Sequence, residues 1–158
     1  MQDGFIRIAA ATPAIEVANC PYNAMQIIEI AKQAADKQVR AIVFPELCLT
    51  GCTCGDLYTQ RTLQNAALEA LSTVLTQLDQ EDIVCIVGLP LAVDNTLYSC
   101  AAVCYHGRLL GIIPKSNNVH AQEITVLEQI VPLGTQLVFS CQEIPAFQFG
   151  VVLFEHPH

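Results

Sequence analysis

Apolar residues recur along this chain with two different periods, and the switches between them mark out its elements. Phe5 to Ala10 (Phe-Ile-Arg-Ile-Ala-Ala) reads as a first strand. Pro21 then opens a helix, at a position where its missing N–H costs nothing. Ala24, Ile27, Ile28, Ala31, Ala34 and Ala35 follow at helical spacing as far as about Lys37. Val39 to Phe44 is a short β-branched run, which predicts a buried strand ended by Pro45. Strand, helix and strand in this order predict a right-handed β–α–β unit with parallel strands.

A loop holding Gly51 and Gly55 leads into a second helix, with Leu63, Ala67, Ala70, Leu71, Val74 and Leu78 along one face. Ile83 to Gly88 returns as a buried strand. Leu97 to Tyr105 and Arg108 to Pro114 flank His106-Gly107, the signature of a tight hairpin between antiparallel strands. Ser116 to Gly134 has no clear period and predicts a helical turn or two around Ile124 to Ile130. Gln136 to Phe139 and Phe147 to Phe154 close the chain as strand candidates. The class is α/β with a mixed sheet. No repeat, low-complexity run or linker divides it. Two helices cover one face of such a sheet and leave the other bare.

Composition sharpens that last point. Apolar residues make up 53% of the chain and charged residues only 14%, against about 25% charged in an ordinary soluble domain. So much apolar surface argues against disorder. It fits a bare sheet face covered by something else, so the chain is expected to be part of a larger unit, a homo-oligomer or the mate of a complementary chain. Seven basic and fifteen acidic residues give a net charge of −8, the wrong sign for a nucleic acid or an anionic membrane. The longest apolar stretch, Ile83 to Val93, is broken by Gly88 and Pro90 and falls short of the about 20 residues a spanning helix needs. The opening Met-Gln-Asp-Gly-Phe has no basic region leading into an apolar one, as a secretory signal would. With no such signal, the eight cysteines read as reduced thiols, and Cys20, Cys85, Cys100 and Cys104 as core residues. The expected location is the cytoplasm.

Two strand ends carry candidate chemistry. In Val43-Phe44-Pro45-Glu46-Leu47 a carboxylate follows a buried strand, where α/β proteins place reactive groups. Burial there would raise its pKa and suit a general base; the plainer reading is a solvated loop glutamate. In Gly111-Ile112-Ile113-Pro114-Lys115-Ser116 a single lysine follows a strand ended by proline and could meet a developing oxyanion; alone, it reads as a surface lysine. Cys48, Cys52 and Cys54 share the loop of Glu46. With His120, His156 or His158 they could supply sulfur and nitrogen to a metal, but Cys-x₃-Cys-x-Cys is not the spacing of common zinc sites, and no metal is expected. Asp56 reads as a helix N-cap, and His156-Pro157-His158 as an exposed tail.

Taken together, these segments resemble a known family. Asp3-Gly4-Phe5-Ile6-Arg7-Ile8-Ala9-Ala10, Phe44-Pro45-Glu46-Leu47-Cys48-Leu49-Thr50-Gly51, Gly55-Asp56-Leu57, Val87-Gly88-Leu89-Pro90-Leu91 and the Lys115 segment are similar to the nitrilase-type amidases. The closest likeness is to the N-terminal glutaminase domain of glutamine-dependent NAD synthetases, from residue 3 to about 116. The resemblance implies the first half of a nitrilase-like α-β-β-α sandwich, with residues 1–158 a truncated carbon–nitrogen hydrolase domain and no synthetase domain. It implies glutamine as substrate, Glu46 as the base that deprotonates a nucleophilic thiol, Lys115 as the oxyanion's cation, and Glu123 as a second glutamate holding lysine and substrate. ATP and deamido-NAD would belong to the absent synthetase domain, so no cofactor is expected in this chain.

The likeness fails where the nucleophile belongs. The family's cysteine ends a strand of the type Gly-Val-Glu-Ile-Cys-Glu-Asp; here Gly150-Val151-Val152-Leu153-Phe154-Glu155-His156 places Phe154 there, and a phenyl ring cannot attack an amide. Cys141 lies too far away to substitute. After Lys115, the family's tyrosines and proline give way to Asn117, Asn118, Val119, His120 and Ala121. The expectation is a glutaminase-like chain inactive alone; the alternative is a non-catalytic α/β module that self-associates or binds a partner through its uncovered sheet face.

Overall fold

Alternation along the central strands sorts the core into two unequal halves. In a computed structural model describing residues 5–116, 118–140, 142–144 and 151–155, β1 (Arg7–Ala10), β2 (Val39–Val43) and β3 (Val84–Val93) run parallel. Helix α1 (Cys20–Asp36) connects the first two strands and α2 (Arg61–Gln77) the second pair. Antiparallel strands β4 (Thr96–Tyr105) and β5 (Arg108–Pro114) follow, as the His106-Gly107 signal predicts. With β6 (Gln122–Val126) and β7 (Gln129–Leu133) the sheet has seven strands in the order β1-β2-β3-β4-β5-β7-β6. Strands β8 (Gln136–Ser140) and β9 (Val151–Glu155) form a separate two-stranded sheet. The mixed α/β class holds. No helix of the described residues is long and apolar enough to cross a membrane.

Both helices bury the faces that their spacing predicts. Asn19 caps α1, its side chain accepting from the Tyr22 N–H at 3.3 Å, and Pro21 sits in the first turn. Ala24, Ile27, Ile28 and Ala31 of α1, with Leu63, Ala67, Leu71 and Val74 of α2, pack on Cys85, Val87, Leu89 and Leu91 of β3. The opposite face of the sheet is not left bare throughout. Val84, Val103, Tyr105, Leu110 and Ile113 pack beneath Leu137, Phe139 and Ile144, so β8 begins a second layer there. Toward β1 and β2 the face stays open: Ile8 is 69% exposed and Val43 41%.

Three further expectations need correction. Residues around Ile124 to Ile130 form no helical turn; they make the antiparallel hairpin β6–β7. Its turn is Leu127-Glu128, both at positive φ (48° and 63°), the backbone of a two-residue hairpin turn that normally selects asparagine or glycine. Leu-Glu gives no such signal. Asp94-Asn95 (49° and 64°) and His106-Gly107 (46° and 71°) make the same kind of turn with residues that do. Asp56 is not a helix N-cap: it lies within a short 3₁₀ helix, Gly55–Thr59, and Gln60 precedes α2 without a side-chain cap. The first sheet strand starts at Arg7 rather than Phe5, and β3 runs on through Pro90 to Val93. Phe147 to Gly150 of the last strand candidate, and His156 to His158, lie outside the described residues.

One backbone contact fixes the loop after β2. A Cβ on Gly88 would sit 2.4 Å from the Leu47 nitrogen and 2.7 Å from the Pro45 oxygen. Both are backbone atoms that cannot rotate aside, so only glycine fits beneath this loop. We expect Gly88→Ala to lower stability by about 1–3 kcal/mol, the usual range for overpacking, read as a lower denaturant midpoint at unchanged slope. A midpoint equal to that of the parent would show that the loop yields at no cost.

Candidate active site

The chain leaves β2 through Phe44, whose N–H donates to the Ile86 carbonyl at 3.0 Å, and turns at Pro45. Leu47 takes a positive φ of 54°, and its carbonyl accepts from the N–H groups of Thr50 (3.1 Å) and Gly51 (2.8 Å). The far side of the turn is tied to β3, the Leu49 N–H donating to the Gly88 carbonyl at 3.1 Å. Buried Asn23 adds a strap from α1: its amide donates to the carbonyls of Glu16 (2.8 Å) and Leu49 (3.1 Å), and its oxygen accepts from the Glu16 N–H (2.8 Å). Its polar atoms are thus satisfied. The result is a stiff turn that presents Glu46 at the C-terminal end of a parallel strand.

Lys115 arrives from the other side of the sheet's centre, just beyond β5. Its Nζ lies 2.8 Å from Glu46 Oε2, although the two residues are 69 positions apart. The fold thus brings together two of the three residues to which the resemblance assigns roles. Neither is buried: their side chains are 46% (Glu46) and 50% (Lys115) exposed. The burial expected for Glu46 from its strand-end position is not found. Ser99 of β4, which the sequence did not single out, donates its hydroxyl to Glu46 Oε1 at 2.8 Å. Its own carbonyl accepts the Lys115 N–H, also at 2.8 Å. A lone serine in a strand carries no motif; only the antiparallel register, with Ser99 opposite Pro90, brings it to the pair.

Glu123 stands apart. It is exposed on β6 opposite Pro132 and makes no hydrogen bond or ion pair with Glu46 or Lys115 among the described residues. The backbone of Phe154 lies in β9 opposite Leu137.

The loop cysteines have structural partners. Cys48 is buried, its thiol donating to the Gly88 carbonyl (3.6 Å) while the Gly88 N–H points back at the sulfur (3.3 Å). Burial pushes its thiol up to about 12, which disfavours the thiolate that attack requires. Cys54 is buried with its thiol 3.1 Å from the Thr50 carbonyl. Cys52 is exposed. Burial also raises Cys20 to about 11 and Cys100 and Cys104 to about 12, and lifts Cys85 well above the ordinary thiol value; these four are core residues, as expected. His120 is exposed, and the described residues include no group of three or more histidine, cysteine or acidic side chains placed to hold a metal.

A carboxylate beyond β2 and a lysine beyond β5, brought together at one edge of the sheet, can in principle move a proton and stabilise an anion. The chain is 29% identical over 98% of its length to the glutamine-dependent NAD(+) synthetase of Mycobacterium bovis, and 30% identical over 82% of its length to that of Mycobacterium leprae. It spans about a quarter (25%) of the first and 19% of the second. Among solved structures it resembles a glutamine-dependent NAD(+) synthetase from Cytophaga hutchinsonii, with a TM-score of 0.77, 22% identity, and 85% of this chain and 26% of that one covered. It also resembles an amidase from Nesterenkonia sp., with a TM-score of 0.63, 15% identity, and 84% of this chain and 56% of that one covered. Structures of the amidase from Nesterenkonia sp. AN1 are described as carrying adducts at an active-site cysteine. These likenesses establish the nitrilase-like fold, with this chain matching part of it. The family model described as carbon-nitrogen hydrolase matches residues 7–152, and the chain belongs to that family.

Proposed function

We propose that this chain carries the acid–base and cationic part of a glutamine-amide hydrolase site, of the kind that supplies ammonia in glutamine-dependent NAD synthesis, and that alone it does not turn over glutamine. The observation that supports this reading is the Glu46–Lys115 contact of 2.8 Å. It joins two strand ends that family resemblance independently assigns to the base and the oxyanion-stabilising cation. In that role Glu46 takes the proton of an attacking thiol, and Lys115 faces the oxygen that becomes negative as the amide carbon turns tetrahedral. Glu123 would steady lysine and substrate once a substrate bridges the gap to β6.

The missing piece is the thiol. Phe154 occupies the position that the family gives to cysteine, whereas the Nesterenkonia amidase forms its adducts at an active-site cysteine. Cys48 cannot substitute, because its buried sulfur is engaged at Gly88. No cofactor belongs to this half-reaction; ATP and deamido-NAD would be used in a separate synthetase domain.

A second reading has its own support, the open strip of sheet at Ile8 and Val43, 69% and 41% exposed. It makes the chain a non-catalytic module that pairs with a second copy or a complementary chain through that face. Sedimentation equilibrium separates the two readings in part. Self-association weakened by Ile8→Lys would favour the module, and a monomer across the micromolar range would remove self-pairing.

Ammonia release from glutamine is the direct test of the main reading. The expected result is no release above background. Hydrolysis abolished by iodoacetamide would defeat the claim of inactivity and point to a substitute thiol. Mass-mapped alkylation of the folded chain should accompany it: Cys52 is expected to react, while Cys20, Cys48, Cys85, Cys100 and Cys104 react only after unfolding, since burial both shields them and suppresses their thiolates. Rapid native labelling of Cys48 would mean that the Glu46 loop opens.

A further inference from the structure

Glu46 and Lys115 are each about half exposed, and an ion pair in that setting contributes only about 0–1 kcal/mol. Lysine adds a long, freely rotating stem. Left to themselves, two such side chains would spend much of their time apart. The contact of 2.8 Å therefore calls for something that holds at least one partner in place.

We propose that Ser99 is the positioning residue of this pair, a role that rests on the reading of Glu46 and Lys115 given above. Ser99 touches both partners at once. Its hydroxyl donates to Glu46 Oε1 at 2.8 Å, and its backbone carbonyl accepts the Lys115 N–H at 2.8 Å. Lys115 Nζ then reaches the other carboxylate oxygen, Oε2, at 2.8 Å. The three residues thus close a ring whose fixed member is the strand residue. Ser99 lies inside β4, paired with Pro90 of β3, and its neighbour Cys100 pairs with Pro114 of β5. A serine has a single side-chain rotor beyond its fixed backbone, so ordering its hydroxyl costs little entropy compared with ordering lysine or glutamate.

The consequence is chemical as well as geometric. With Oε1 engaged by a hydroxyl, the carboxylate is held in one rotamer and Oε2 is turned toward Lys115. Donation to the carboxylate also favours its ionised form, the form that a general base must start from. Ser99 acts only through Glu46 and Lys115 and needs no contact with substrate.

The test follows the Glu46 side-chain carboxyl carbon by NMR through an acid titration of the whole chain, with Glu46→Gln used for assignment. In Ser99→Ala the midpoint should move to higher pH by about half a unit, the scale of one partly solvated hydrogen bond. Acylation of Lys115 by an amine reagent should also become about threefold faster as the ring loosens. Ser99→Thr, which keeps the hydroxyl, should restore both readouts. If the alanine variant does not fold, Ser99→Cys, which keeps the side-chain shape with a slightly larger and weaker donor, should show the same upward shift. An unchanged Glu46 midpoint in Ser99→Ala would overturn the proposal even if the melting temperature fell, because that pattern belongs to a merely structural serine. Failure of threonine to rescue would overturn it as well. None of these readouts needs turnover. Ammonia release by the chain would defeat the claim of inactivity and leave this result standing, and a silent Ser99 would leave the roles of Glu46 and Lys115 as they were.

Discussion

The site depends on the contact between the Pro45–Leu49 turn and the backbone of β3 at Gly88. Strand order places β2 beside β3, but only the absence of a side chain at Gly88 lets the turn settle on its neighbour. Hydrogen bonds on either side of the close approach lock it, from Phe44 to Ile86 and from Leu49 to Gly88. The buried Cys48 sulfur fills the seam between them, accepting from the Gly88 N–H and donating to its carbonyl. A thiol serves well there because it is small, apolar and only weakly polar at its edge. Pushed up to about 12 by burial, it stays neutral. The cysteine nearest the candidate base is therefore part of the scaffold rather than a reagent.

Ion pairs mark both ends of the central strands, and their settings differ. At the end where β2 begins and β4 finishes, Asp82 meets Arg40 Nη1 at 2.5 Å and accepts the Tyr105 hydroxyl at 2.6 Å. That cluster joins the loop before β3 to strands on either side, which is a structural task. At the other end, Glu46 and Lys115 come from loops just beyond their strands and reach toward solvent. Each follows a proline: Pro45 lies just beyond β2, and Pro114 is the last residue of β5, paired with Cys100. Placement beyond the C-terminal ends of strands leaves a carboxylate and an ammonium accessible to a third group while the sheet fixes their bases.

Much of this was legible in the sequence, for reasons that differ between regions. Helices α1 and α2 declared themselves because Ile27, Ile28, Leu71 and Val74 recur at helical spacing, and those residues are buried. The β4–β5 hairpin was legible in His106-Gly107, since a glycine there accepts the positive φ that the turn requires. The β6–β7 hairpin was not: Leu127 and Glu128 adopt the same backbone without the usual residues, so pairing with β5 and packing of Val126, Val131 and Leu133 must impose the turn from outside. Asp56 misled because an acidic residue ahead of a helix suggests a cap, while here an intervening 3₁₀ turn takes it. Glu46 and Lys115 could be named from strand-ending prolines and family likeness. Ser99 could not, because its relevance arises from strand register, a property of the folded sheet.

The second face of the sheet links the fold to the question of activity. Where β8 lies over β4 and β5, Leu137, Phe139 and Ile144 seal Val103, Leu110 and Ile113. Over β1 and β2 the same face presents Ile8 and Val43 to water. Val43 stands three residues before Glu46, so the open strip runs up to the candidate site itself. Glu46 and Lys115 are themselves about half exposed, so water screens their attraction. Covering the strip would bury the apolar side chains of Ile8 and Val43, the latter three residues from the candidate site.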